Sequence, residues 1–449
     1  MKCGQVPKWV WIVLVLAHAL ALAWALRSGH WRFPDSDRYR LAAANLVQHG
    51  QLYAQAWPDA TPRGQAVQEF TIRPPGYPVV LAVLKGATSP WLVLLVQNGL
   101  SLFILSAVLK WWGRRVTPLT KDWLGALVLV LTFPAQIIYA NAVMSEVFLQ
   151  TLLLWLTAAV GAFYQTGKLR YWIGVAVVVT LTLLFKPVCC LLALVVAGTG
   201  LVLGWRRREP RLWAIGMLPV VVMGAYMAWN QQRTGYFHFS SITDINLLHY
   251  NAAGVVRQVE GPAAEEAWVA GVLRMANAQD NFATRQRLIQ QRAVAILLAH
   301  PGVYIRQHAL GMASFFLDPG RFDVSEFGGL VRPAGGGLLV QMRAGGFWRA
   351  IAQLPLGLLA GLTLVLLANM SRLVLAVRGF RRLGKGPVAW RAGRWVAVGL
   401  LLYLALLTGP LGAARFLMPA WPLLLGLALM GLRGPTVPPA TCVASAASA

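Results

Sequence analysis

The sequence predicts an all-α polytopic membrane protein of about ten transmembrane helices, with amphipathic juxtamembrane helices along one face. Three observations carry this. Apolar residues make up 57% of the 449 positions and charged residues 12%, where a soluble domain is roughly a quarter charged. Mean hydropathy is +0.59. Apolar runs near the ~20 residues that cross a bilayer recur along the chain. They lie near 9–26, 91–109, 123–140, 147–164, 171–185, 188–204, 212–229, 350–369, 395–411 and 416–432.

The charges between these runs fix their direction. Arg114, Arg115, Lys121, Lys168, Arg170, Arg206 to Arg208 and the basic stretch 372–394 fall on one side with only Asp122 and Glu209 for acids. Lys and Arg concentrate in cytoplasmic loops, so this side is expected in the cytoplasm, with both termini. The net charge of +25 is thereby explained without nucleic acid. The other side receives 27–90, the apex near 141–146, the long segment 231–346 and the turn near 409–415. All remaining acids lie there. Four cysteines, Cys3, Cys189, Cys190 and Cys442, form neither a disulfide framework nor a metal-ligand spacing.

Residues 9–26 read as an uncleaved first helix, with a signal peptide as the alternative. Next, FPDSDRYRLAAANLVQHG (33–50) places Tyr39, Ala43, Leu46, Val47 and Gly50 at helical spacing. That predicts a short interfacial helix stopped by Gly50, with Asp35 or Ser36 as N-cap. Asp35 then has two readings: a cap and nothing more, or a base facing a cavity. In IRPPGYPVVLAVLK (72–85) the prolines and glycine force a rigid entry into a second short helix. Arg73 beside that turn suits a phosphate, or merely a headgroup. Glu146 opens a long apolar helix, where a carboxylate favours the dipole whatever else it does.

Residues 171–204 are too long for one span, since a single helix would reach about 50 Å across a ~30 Å core. Both flanks are basic, so a hairpin broken at Lys186-Pro187 is expected. Lys186 then lies at or below the outer interface, either snorkelling to headgroups or holding an anion. Residues 286–319 read as an interfacial helix pair around His300-Pro301. No H-x-x-x-H or E-x-x-H spacing occurs near His238, Asp244 and His249. Arg233 and Arg415 end spans on the same outer side. Asp35, Asp37 and Glu146 thus share that face with Arg73, Lys186, Arg233 and Arg415. Cations there suit a phosphate-bearing lipid whose tail stays in the bilayer, and a carboxylate suits an incoming hydroxyl.

The ordered motifs D-S-x-x-Y-x-x-x-A-x-N-L-x-x-x-G (35–50), RPPGYP (73–78), S-E (145–146), K-P (186–187), N-x-x-x-T-G followed by serines (230–241) and A-R-F-x-x-P (414–419) resemble the GT-C superfamily of polytopic glycosyltransferases. Within it they resemble bacterial members akin to family 39 and the aminoarabinose and protein-mannosyl transferases. The resemblance spans about 9–432. It implies transfer of a sugar from a polyprenyl-phosphate donor to an acceptor hydroxyl of a glycan, lipid or protein, outside the bacterial inner membrane. It implies Asp35 as the catalytic carboxylate, Asp37, Glu146 and Tyr39 as secondary acidic or sugar-binding residues, and Arg73, Lys186, Arg233 and Arg415 on the donor phosphate. The family usually has arginine where Lys186 stands, and lysine loses the bidentate fork. A divalent cation on Asp35 and Glu146 is the alternative to a sugar role for Glu146, and two side chains make a poor metal cage. The expected division is a catalytic module over 1–230, an outer loop region over 231–346, C-terminal spans over 347–433 and a disordered tail over 434–449. The rival classes are a polymerase or ligase of lipid-linked glycans, suggested by the arginines of 257–349, and a flippase. A flippase predicts internal repeats, and none is visible.

Overall fold

The computed structural model describes residues 5–330 and 354–434, and all regular structure among them is helical. The protein is an all-α polytopic membrane protein. Among the described residues, eight helices are long and apolar enough to cross a bilayer: Lys8–Ser28, Trp91–Val116, Glu146–Thr166, Pro187–Arg207, Pro210–Thr234, Leu356–Leu383, Trp390–Leu411 and Ala414–Leu432. The shorter Leu169–Phe185 and the bent pair Thr120–Leu131 and Pro134–Ala140 account for the other two expected segments.

Two boundaries need correction. The segment expected as a straight span over 123–140 bends by 59° at Thr132-Phe133. Pro134 opens the second half and supplies no N–H to the first. The Phe133 N–H turns to the Val130 carbonyl, and the Leu129 carbonyl it leaves accepts from Arg372 Nε and Nη2, at 3.1 and 2.9 Å. Backbone polar groups in hydrocarbon must be satisfied inside the protein, so the buried Arg372 guanidinium serves as a cap. The span expected at 350–369 begins at Leu356 and runs on to Leu383. Residues 350–353, the segment 331–346 and all but the first residue of the expected disordered tail 434–449 lie outside the described residues, as do Cys3 and Cys442. Cys189 and Cys190 are free thiols.

The expected hairpin is present. Helix Leu169–Phe185 ends where Lys186 turns extended, at φ −145° and ψ 129°, and Pro187 opens the return. One continuous core joins the first and last spans through Leu14, Trp112, Val147 and Trp421. Helices Leu356–Leu383 and Trp421–Leu432 cross in backbone contact. A Cβ at Gly379 would strike the Leu427 carbonyl, and one at Gly431 the Leu375 carbonyl. Small residues permit such approaches in membrane bundles.

The connections sort to two ends of the bundle. One end carries the basic turns, where Arg433 meets Asp122 at 2.5 Å. The other, the loop face, carries 29–90, 141–145, 186–189, 235–330 and 409–413. Helix Ser36–His49 lies there and stops at Gly50, which takes the left-handed φ of 66°. Its buried side is Tyr39, Ala42, Ala43 and Asn45, while Val47, on the apolar stripe expected to lie at the interface, is 68% exposed. Asn45 Nδ2 donates to the Tyr53 and Gln55 carbonyls and ties down the next loop. The pair broken at His300 is Phe282–Ala299 and Pro301–Leu317. A small second core, Leu248, Val272, Ala276 and Ile289, packs the first of these helices against Pro262–Asn277 and the Leu247–Ala252 segment.

Candidate functional site

Asp35 holds the expected N-cap position of helix Ser36–His49, its carbonyl accepting from the Tyr39 N–H, but its side chain makes no bond to the helix N–H groups and is free for other partners. Ser36 organises the turn instead: its Oγ accepts from the Phe33 N–H at 2.9 Å and donates to the Val143 carbonyl at 3.0 Å. That fastens the first loop to the 141–145 turn. The Asp35 carboxylate accepts from Arg73 Nη2 on one oxygen and from Arg415 Nη2, at 2.6 Å, on the other.

Each partner is placed by its local sequence. Arg73 is set by the Pro74-Pro75-Gly76 turn. A Cβ on Gly76 would come within 2.6 Å of the Leu184 carbonyl, so only glycine lets this turn abut the helix end that delivers Lys186. The Arg73 guanidinium lies 4.8 Å over the Tyr39 ring, a cation–π contact. Glu146 begins its helix buried, and its Oε1 accepts from Arg415 Nε at 2.8 Å and Lys186 Nζ at 3.1 Å. Its Oε2 has no partner among the described residues. The backbone just before Arg415 is fastened by Asp318, which accepts from the Ala414 N–H at 2.8 Å and the Gly320 N–H at 3.1 Å.

Five charged groups from four distant segments therefore meet. Arg73, Lys186 and Arg415 face Asp35 and Glu146, leaving one positive charge in excess. Asp35, Arg415 and Lys186 keep 24%, 21% and 18% of their side chains open, against 2% for Glu146. Glu146 is the floor, and the first three are the accessible rim. Burial would push the Asp35 carboxyl up, but the Arg415 and Arg73 guanidiniums outweigh it and hold it well below the usual carboxylate range. In this arrangement Asp35 is a firm anion and a weak base.

Two expected members stand elsewhere. Asp37 is half exposed and pairs with Arg32 at 2.6 Å and Arg40 at 3.9 Å. Arg233 stacks 3.5 Å over the Trp229 ring and donates to Asn230. Nor do Asp35 and Glu146 fit a divalent cation as arranged. The Arg415 guanidinium bridges them, and no group of three or more His, Cys, Asp or Glu among the described residues is placed to bind a metal. Sequence reasoning missed Asp318, Tyr139 and Asp323. The Tyr139 hydroxyl donates to Asp323 at 2.6 Å. Burial pushes the Asp323 carboxyl up to about 7 despite that bond, and neighbouring Asp318 adds to the rise. The Asp318-Pro319-Gly320 run signals a turn, but nothing in it signals a partner at 414.

Such a cluster can bind an anion, most naturally a phosphate, between guanidinium forks and an ammonium. Neither a family model nor a curated protein sequence matches this chain. Among solved structures it is similar to ArnT from Cupriavidus metallidurans in the apo state and bound to undecaprenyl phosphate. Identities are 14% and 13%, the TM-score is 0.33 for both, and each match covers 94% of this chain and 77% of that one. Likeness at this level carries no functional weight, so the chemistry has to come from the chain's own residues.

Proposed function

We propose that the chain is a membrane glycosyltransferase that moves a sugar from a polyprenyl-phosphate donor to an acceptor hydroxyl. The observation that carries this is the cationic excess of Arg73, Lys186 and Arg415 around the open carboxylate of Asp35, at the ends of spans. On this reading the loop face is the periplasmic face of a bacterial inner membrane, and both termini are cytoplasmic. A phosphate on a lipid tail is an anion delivered at that depth.

The clamp on Asp35 also suggests an order of events. A donor phosphate competes for Arg73 and Arg415, and each fork that turns to it releases one Asp35 oxygen. The carboxylate, freed of guanidinium charge, rises in basicity and receives the acceptor hydroxyl. The hydroxyl oxygen then bonds to the anomeric carbon, the bond from that carbon to the phosphate oxygen breaks, and its electron pair stays on the phosphate. The hydroxyl proton passes to Asp35. Arg73, Lys186 and Arg415 stabilise the charge gathering on the leaving phosphate, and Glu146 keeps Lys186 and Arg415 aimed.

The test is the Asp35→Asn variant, purified in parallel with the parent, with co-purifying lipids identified by mass spectrometry. The expected result is a polyprenyl-phosphate monosaccharide, enriched in the variant because it is not consumed. Ordinary phospholipids alone in both preparations, together with no binding of added polyprenyl phosphate, overturn the proposal.

A further inference from the structure

Away from the Asp35 clamp, the loop face contains a cavity of about 170 Å³, roughly ten times what a single water needs. Arg38, Gln68, Asp244, Arg285 and Gln286 line its walls, and Ile245, Leu248, Leu273 and Ile289 contribute apolar surface. The polar walls are built rather than incidental. Asp244, Arg285 and Gln286 are 4%, 2% and 1% exposed. Asp244 accepts from Gln290 at 2.8 Å, Arg285 donates to Asn277 at 2.9 Å and to Gln286 Oε1 at 3.2 Å, and Arg38 meets Glu69 at 3.3 Å. The Gln286 Nε2 group is buried with no partner among the described residues. A buried donor left unmade is costly, and its place on the cavity wall points to a ligand that supplies the acceptor.

The chemistry of that ligand follows from the walls. Arg38 and Arg285 are offset by Glu69 and Asp244, so the site has none of the cationic surplus of the Asp35 clamp and is not a second phosphate site. An apolar ligand would strand Asp244, Arg285 and Gln286 without water. What remains is a near-neutral molecule dense in hydroxyl donors and acceptors that also has C–H faces for the isoleucines and leucines. A sugar ring has both. The cavity borrows two elements from the clamp: Arg38 lies three residues beyond Asp35, and Gln68 five before Arg73. Its remaining walls come from 244–289, which give nothing to the clamp.

From this placement, and resting on the proposed transfer reaction, we infer that the cavity holds a sugar ring of the acceptor, against a wall whose Arg38 follows Asp35, the carboxylate that receives the acceptor hydroxyl, by three residues. Saturation-transfer NMR on the full chain in lipid nanodiscs tests it, with glucose, galactose, mannose, N-acetylglucosamine and arabinose as probes and polyprenyl phosphate binding measured alongside. At least one sugar should bind saturably to the parent and to Asp35→Asn. Its affinity should fall about tenfold, the worth of one buried charged or amide hydrogen bond, in both Gln286→Leu and Asp244→Asn. Polyprenyl phosphate binding, retained in these two variants, certifies their folding. No saturable sugar binding to the parent, or binding untouched by both substitutions, overturns the inference. Displacement of the sugar by a polyprenyl-phosphate monosaccharide, but not by polyprenyl phosphate, reassigns the cavity to the donor and overturns the acceptor assignment. Sugar binding with no polyprenyl phosphate binding to the parent sinks the proposed function and leaves the cavity standing.

Discussion

Among the described residues Arg415 is the one cation shared by both carboxylates, and its removal gives the sharpest test of the cluster. Arg415→Ala deletes two charge-assisted bonds, to Asp35 at 2.6 Å and to Glu146 at 2.8 Å. Glu146, 2% exposed, is left with Lys186 as its only ion-pair partner among the described residues. Breaking a buried pair by removing one partner costs about 3–5 kcal/mol, because the other charge stays behind. Arg415→Lys keeps the charge but cannot present Nε and Nη2 to two carboxylates at once, so it should lose about 1.5–3 kcal/mol, the worth of one charged hydrogen bond. If the loss in Arg415→Ala is mainly a stranded Glu146, then adding Glu146→Gln should recover part of it. The double variant is expected to be more stable than the sum of the single losses by at least ~1 kcal/mol. The assay is equilibrium unfolding in mixed micelles, followed by tryptophan fluorescence. Strict additivity, within about 0.5 kcal/mol, would refute the bridging role.

Further outcomes follow from other parts of the structure. Asp318→Ala removes the acceptor that holds the Ala414 N–H. It should cost about 1 kcal/mol, as lost caps do, and should lower turnover through Arg415, while Asp318→Asn, which keeps an acceptor oxygen, restores both. Gly431→Ala drives a methyl into the Leu375 carbonyl, where overpacking costs about 1–3 kcal/mol, so thermal unfolding should shift down. Burial pushes the Asp244 carboxyl up to about 6 from an ordinary value of about 3.9. The folded state then holds that proton more tightly than the unfolded state. Its stability is full below about pH 4, falls as the pH rises to about 6, and levels off above that, by on the order of 3 kcal/mol. Thermal unfolding of Asp244→Asn across that window should lack this slope.

The sequence made legible whatever depends on depth in the membrane and on local turn chemistry. Ten apolar segments, the hairpin at Lys186-Pro187 and the stop at Gly50 all follow from hydropathy, charge side, proline and glycine. The same reading put Asp35, Arg73, Glu146, Lys186 and Arg415 on one face, and the structure brings those five together. It also put Asp37 and Arg233 there, and they stand apart. Depth assigns a residue to a plane, whereas position within the plane depends on which spans pack side by side. Asp37 is two residues from Asp35, yet it points to Arg32 because successive helical positions face different ways. Arg372 read only as one more basic residue at the cytoplasmic end. Its capping of Leu129 depends on a bend 240 residues earlier in the chain. Asp318 and Tyr139 were silent for the same reason, since their partners lie far off in sequence.

The bridging of Asp35 and Glu146 by residue 415 has a consequence for how the protein is made. Asp35 with Arg73 and Glu146 with Lys186 are each neutral couples, complete once the chain has emerged to residue 186. The surplus positive charge enters only with Arg415, along with the contact that draws the two couples into one cluster. On the proposed reading, a chain that has not yet reached Arg415 has two balanced couples and lacks the cationic surplus that would hold a lipid-borne phosphate.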